Sequence, residues 1–168
     1  VASQLKGAPG RMQVIRDGER LFVVDYAHTP DALIQVLTTL KRHVVKNLWA
    51  VFGCGGDRDK TKRPLMGEIA TRIADRVIIT SDNPRSEDPA TITKEIEAGA
   101  LKHKTEYKII VDRREAIYEG LSMIEENDIL LIAGKGPERY QILKDGPIPF
   151  LDKDVLHDWC RLNGKEAH

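Results

Sequence analysis

The sequence predicts an α/β fold: a doubly wound, mostly parallel, Rossmann-like sheet with helices on both faces and a C-terminal hairpin. Three observations predict it. Short apolar runs at residues 48–52, 77–80 and 129–133 alternate with stretches whose apolar residues recur at helical spacing. The run at 129–133 is apolar throughout, as a central strand covered on both faces requires. Glycine-rich or polar segments follow these runs, so they fall at the carboxyl ends of strands, where open α/β sheets collect ligands.

Taken in order, residues 12–16 and 21–26 form two strands around the turn Asp17-Gly18-Glu19. Thr29-Pro30-Asp31 then supplies an N-cap, a first-turn proline and an early acid. Leu33, Val36, Leu37, Leu40 and Val44 line one face of the helix that follows. Beyond strand 48–52 and its glycine-rich loop, Leu65, Ile69 and Ile73 mark a second helix, with Pro64 confined to its opening turn. Strand 77–80 runs into Asp82-Asn83-Pro84-Arg85, and Asp88-Pro89 caps a third helix through Ile92 and Ile96. Residues 108–111 form the next strand, and Asp112 caps a helix with Ala116, Ile117, Gly120, Leu121 and Ile124 inward. Residues 140–143 and 147–150 make a hairpin around Lys144-Asp145-Gly146, and Val155, Leu156, Trp159 and Leu162 form a closing helix. Strand–helix repeats of this length imply right-handed crossovers.

The bulk properties narrow the function. With 168 residues, the chain suits one domain with a single core. Its 26 basic and 26 acidic residues cancel, so no long-range field draws nucleic acid or an anionic membrane. No apolar run approaches the ~18 residues that span a bilayer. Cys54 and Cys160 make no CxxC or zinc-type spacing, and no secretory apolar region is present, so the cytoplasm is the expected compartment. The chain opens at Val1 and soon enters Gly7-Ala8-Pro9-Gly10-Arg11. Residues 1–10 are therefore expected to be a linker from a preceding domain, and 11–168 one domain.

Four loops should gather at one sheet edge. In Gly53-Cys54-Gly55-Gly56-Asp57-Arg58-Asp59-Lys60, Lys60 lacks the glycine a P-loop needs before it, and Arg58 occupies the last glycine position of GxGxxG. The glycines either permit a tight strand-to-helix turn or let backbone amides approach a ligand whose charge Arg58 meets. Asp57 and Asp59 flank that arginine and either orient it or cap the next helix. Asp82-Asn83-Pro84-Arg85 is either an Asx-turn or, paired with Arg58, a grip for an amino acid. A guanidinium suits this, because its planar fork holds a carboxylate through two parallel bonds. Gly134-Lys135-Gly136-Pro137-Glu138 either binds phosphate through its lysine or is a flexible turn, while Glu138 offers a carboxylate to an ammonium. In Asp25-Tyr26-Ala27-His28, His28 is either a structural hydrogen-bonder or a contact for a nucleotide sugar or base. No Ser-His-Asp or Cys-His arrangement and no metal-ligand cluster emerges, so these loops read as recognition equipment without a catalytic base.

With these motifs in view, the chain resembles the C-terminal domain of the Mur ligases of peptidoglycan construction, in particular the branch that adds 2,6-diaminopimelate. The resemblance runs from Pro9-Gly10-Arg11-Met12 through Val24-Asp25-Tyr26-Ala27-His28-Thr29-Pro30-Asp31 and residues 51–66 to residues 134–141, and it includes the DNPR signature as Asp82-Asn83-Pro84-Arg85. It implies that Arg58, Asn83 and Arg85, with Asp82 of the same signature, hold the distal end of meso-diaminopimelate. It further implies that the Gly134 carbonyl and the Glu138 carboxylate receive the distal ammonium, leaving the other amine free as nucleophile. Arg11, Asp25 and His28 would face ATP. Lysine lacks the remote carboxylate, so it would leave a buried cation unpaired, a loss of roughly 1–3 kcal/mol.

The same resemblance implies an ATP- and Mg²⁺-dependent amide-forming reaction. A phosphorylated D-glutamyl carboxylate of UDP-N-acetylmuramoyl-L-alanyl-D-glutamate is attacked by the amine, and phosphate leaves. The P-loop and the sugar-binding domain of that family are not in this sequence, so N-terminal and central domains are implied partners, and this piece alone is expected to be inactive. One departure stands out: the family commonly has His where Pro137 stands, which removes an imidazole and a backbone donor. Two other readings remain: the same fold with a different acceptor, or a free-standing, non-catalytic domain binding an amino acid or nucleotide.

Overall fold

Residues 12–163 are described by a computed structural model. The chain begins with an antiparallel hairpin, β1 (Met12–Asp17) and β2 (Arg20–Asp25), turned at Gly18 with φ 62°. Strands and helices then alternate: α1 (Pro30–His43), β3 (Leu48–Phe52), α2 (Lys62–Ile73), β4 (Arg76–Ile79), α3 (Pro89–Ala100), β5 (Glu106–Ile109), α4 (Arg113–Met123) and β6 (Ile129–Ala133). A second hairpin, β7 (Tyr140–Leu143) and β8 (Gly146–Pro149), precedes α5 (Asp152–Leu162). The predicted caps hold. Thr29 accepts from the Ala32 amide, Asp88 from Ala90 and Asp112 from Glu115.

The main sheet has six strands in the order β1-β2-β6-β3-β4-β5, all parallel except β1, and β7–β8 form a separate two-stranded sheet. The chain lays β3, β4 and β5 outward in turn, then returns to insert β6 between β2 and β3. Right-handed crossovers going outward put α1, α2 and α3 on one face, and the reversed step through α4 must use the other. The core follows that division. Leu33, Leu37, Met66, Ile69, Ile92 and Ile96 join one layer, while Ala116, Ile117, Leu121, Val155, Leu156 and Trp159 join the opposite one. Along β6, Ile129, Leu131 and Ala133 face the first layer, and Leu130 and Ile132 face the second. That period of two explains why a fully buried strand is apolar at every position. The reversal places β3 and β6 side by side, so the loops after them open on the crevice where such folds bind ligands.

Three expectations need correction. The strand expected at 108–111 begins two residues earlier, at Glu106–Ile109, because it is the sheet's edge and alternates exposed Glu106 and Lys108 with half-buried Tyr107 and Ile109. Leu65 is exposed, because α2 turns Met66, Gly67, Ile69 and Ala70 inward instead. That phase is set by close packing. A Cβ on Gly67 would stand 2.0 Å from the Ile96 carbonyl oxygen and one on Gly99 1.7 Å from that of Pro64, so α2 and α3 touch backbone to backbone. Leu162, the last residue of α5, is also exposed.

Candidate functional site

The loops after β3, β4 and β6 interlock. Gly53 and Gly56 are required for contact between loops rather than for approach to a ligand. A Cβ on Gly53 would lie 2.2 Å from the Thr80 carbonyl oxygen, and one on Gly56 1.8 Å from that of Pro84. The Gly56 amide donates to the Asn83 carbonyl at 2.8 Å. Asp57, in the left-handed region at φ 55°, accepts from the Ser86 amide and hydroxyl, and its own amide donates to Glu87 at 2.6 Å. Asp59 accepts from the Thr61 amide and hydroxyl just before α2, whose N-cap is Thr61, so it neither caps that helix by its side chain nor bonds Arg58.

A buried arginine invisible to sequence reasoning ties this assembly down. Arg63, fully buried on α2, donates to the Gly55 carbonyl at 3.0 Å and pairs with Glu87 at 2.6 Å and Glu95 at 2.9 Å. The hydrogen bonds from Arg63, and then the Asp57 amide, hold the Glu87 carboxyl down at about 2. A second buried arginine braces the loops from beneath. Arg113 grips Asp152 with both arms, at 2.8 and 2.7 Å, and donates to the carbonyls of Ser81 and Ala133, the residues just before Asp82 and Gly134.

The predicted acceptor residues come together. Arg85, at φ 53°, is held by its amide to the Ile142 carbonyl and by Nη1 to the Gly56 carbonyl at 2.9 Å. Arg58 is exposed, and its Nη1 donates to the Asp57 carbonyl. A Cβ on Gly55 would stand 2.9 Å from Arg85 Nη1 and 3.7 Å from Arg58 Cγ, so both arginine side chains border this one glycine. Asn83 is buried, its Nδ2 3.5 Å from Glu138 Oε1. Asp82 is buried against Gly134, where a Cβ would meet its Oδ2 at 2.5 Å. Burial pushes the Asp82 carboxyl up, against the pull of Arg113 and Lys135. Gly134 needs its φ of 116° and that lack of a side chain.

Lys135 is turned inward and fully buried, bonded to Asn83 Oδ1, Glu138 Oε1 and the Tyr140 carbonyl, so it is not a free phosphate ligand. Pro137 sits at the exposed corner of a turn closed by the Glu138 amide donating to the Lys135 carbonyl, a corner where the missing N–H is not needed and Glu138 keeps its place beside Lys135. Gln141, also missed, donates to Ser81 Oγ and the Asp82 carbonyl and so fastens β7 to the DNPR turn. Nothing in the sequence marked Gln141, since only the fold shows it buried between exposed Tyr140 and Ile142.

On the neighbouring loop, Asp25 accepts from the Ala27 amide at 2.7 Å and is buried at the end of β2. His28 Nδ1 lies 2.9 Å from the Tyr26 carbonyl, which fixes the proton on Nδ1, and its ring stands 4.6 Å from that of Tyr26, both rings exposed. Both rings lie outside the core, and Lys62 Nζ donates to the His28 carbonyl at 3.2 Å. Arg11 lies outside the described residues. Among the described residues, no group of three or more His, Cys, Asp or Glu side chains is arranged to hold a metal ion. No helix among them is long and apolar enough to cross a membrane.

Comparison with known proteins bears on the family and the fold. The Mur ligase, glutamate ligase domain family model matches residues 10–136. A UDP-N-acetylmuramoyl-L-alanyl-D-glutamate–2,6-diaminopimelate ligase from Rickettsia felis is 50% identical over 167 residues, 98% of this chain and 31% of that protein. The enzyme of the same name from Syntrophomonas wolfei is 49% identical over 161 residues, 95% of this chain and 33% of that protein. A solved structure bearing that enzyme name superposes with a TM-score of 0.89 at 55% identity, covering 96% of this chain and 33% of its own. The chain thus spans about a third of the length of the relatives it matches. By the family match across most of its length, and by a fold shared with these relatives, the chain belongs to the Mur ligases and carries their glutamate ligase domain.

Proposed function

We propose that this chain is the acceptor-binding domain of a cytoplasmic, ATP-dependent ligase that adds meso-diaminopimelate to UDP-N-acetylmuramoyl-L-alanyl-D-glutamate in peptidoglycan synthesis. The observation that carries the reading is that the Arg85 guanidinium and the Arg58 side-chain stem both border Gly55, with Asn83 and Glu138 paired nearby. The two guanidinium groups would neutralise the remote carboxylate of the guest, with the Asn83 amide as a further donor. Glu138 and the Gly134 carbonyl would take the distal ammonium, with Asp82 supporting the same wall.

Binding one end this firmly leaves the other amine to project outward, held at one angle for attack on an activated carboxylate, which is catalysis by positioning. ATP with Mg²⁺ would supply the activating phosphoryl group, held mainly by a central domain outside this sequence. Asp25, His28 and Arg11 would face the nucleotide as this domain closes over it. The experiment is an acceptor panel: the full-length protein containing this chain, ATP, Mg²⁺ and the UDP-sugar dipeptide, with phosphate release measured for meso-diaminopimelate, L-lysine, L-ornithine and glycine. The reading expects release with diaminopimelate far above the others. Equal release with lysine, or none with diaminopimelate, overturns it.

A further inference from the structure

We propose that Lys135 is a positioning residue that dictates which end of the Asn83 amide faces the bound acceptor, and so makes that wall of the site a donor to carboxylate. The inference rests on the diaminopimelate reading above. Lys135 follows Gly134 at the end of β6 and is fully buried, so its three N–H groups must find partners inside the protein. They find three: Asn83 Oδ1 at 3.0 Å, Glu138 Oε1 at 3.3 Å and the Tyr140 carbonyl at 2.6 Å. The Ile142 amide also points at Asn83 Oδ1, at 3.0 Å.

An ammonium and a backbone N–H can only donate, so the Asn83 atom facing both must be its oxygen. The amide NH₂ is thereby forced to the opposite side, toward Glu138 Oε1 at a long 3.5 Å, with donor capacity left over. Side by side, the wall then offers an NH₂ suited to a carboxylate and a carboxylate suited to an ammonium. Both features are set by one lysine that touches neither guest group. Without Lys135, only the Ile142 amide and the long contact to Glu138 would oppose rotation of the Asn83 side chain, and Glu138 would lose its ion-pair partner.

The test uses the full-length protein carrying this domain, with Lys135→Met as an unbranched, uncharged replacement. Initial rates are measured with meso-diaminopimelate, with L-lysine, and against ATP concentration. The KM for diaminopimelate is expected to rise about ten- to a hundredfold, with the KM for ATP within about twofold, and the preference for diaminopimelate over lysine to fall by about tenfold or more. A purely structural lysine would weaken both acceptors and ATP together, so an unmoved preference overturns the proposal. Should Lys135→Met fail to fold, Asn83→Asp decides instead. It keeps an acceptor for Lys135 and Ile142 but turns a carboxylate oxygen toward the guest. The same collapse of preference is expected, and its retention overturns the proposal. Wild-type protein that does not ligate diaminopimelate refutes the acceptor reading itself, whereas a working wild type with an unmoved Lys135→Met variant refutes only the role of Lys135.

Discussion

The Gly56 Cα faces the Pro84 carbonyl so closely that a methyl group there would lie 1.8 Å from its oxygen, whereas the same group on Gly55 would meet the tip of Arg85 at 2.9 Å. Adjacent glycines therefore do different work: one joins two loops, and the other opens beside the arginines. Gly56→Ala is expected to destabilise by about 2 kcal/mol or more, since rigid backbone must move. Gly55→Ala should stay within about 1 kcal/mol of wild type, because a side-chain end can yield. Denaturant unfolding of the two variants checks this, and equal losses would contradict it.

The buried Arg113–Asp152 pair carries the floor of the site. Asp152→Ala strands a guanidinium in the interior and is expected to cost about 3–5 kcal/mol. Replacing both partners together, as Arg113→Met with Asp152→Leu, should recover much of that loss. A double-mutant unfolding cycle measures the coupling. Additive losses would mean the pair does not act as a unit.

Glu87 predicts the acid limb of stability. Its carboxyl is held at about 2 against an ordinary 4.5, so the folded state binds this proton more weakly than the unfolded one. Its contribution is fully present above pH 4.5 and disappears as pH falls toward 2. Glu87→Gln should therefore lower Tm at pH 7 and converge with wild type in acid. Tm curves that stay parallel across this range would contradict the assignment.

Cys54, between glycines in the most conspicuous loop, invites a nucleophilic role. The fold removes it. Its Sγ lies 3.6 Å from Met66 Sδ, and burial, with Asp82 adding, pushes the thiol up to about 12. Native protein at pH 8 should not react with a thiol reagent at Cys54 or at Cys160, which is also buried, until denaturant is added. Prompt labelling of the folded chain would contradict this.

Most of the fold was legible in the sequence because the signals there are local. Caps at Thr29, Asp88 and Asp112 mark helix starts, and the unbroken apolar run of β6 marks a strand buried on both faces. What escaped notice depends on distant partners. The Leu65 side of α2 looks apolar, yet Gly67 and Gly99 decide which side packs, and a glycine pair across two helices has no periodic signature. Arg63 and Arg113 read as surface charges, because nothing in the chain shows that Glu87, Glu95 and Asp152 will meet them inside. Within the site, Arg58, Asn83, Arg85 and Glu138 were legible as residue types at strand ends. The inward turn of Lys135 was not, since it depends on Asn83, which comes from the loop after β4.

On the proposed function, Arg58 and Arg85 select an acceptor by its remote carboxylate. The deciding quantity is the ratio of kcat/KM for meso-diaminopimelate to that for L-lysine in the full-length protein, before and after Arg85→Ala. Removing the guanidinium should cut diaminopimelate efficiency by about a hundredfold while leaving the already poor lysine reaction within a few fold, so the ratio collapses. A ratio that survives the substitution would contradict the account.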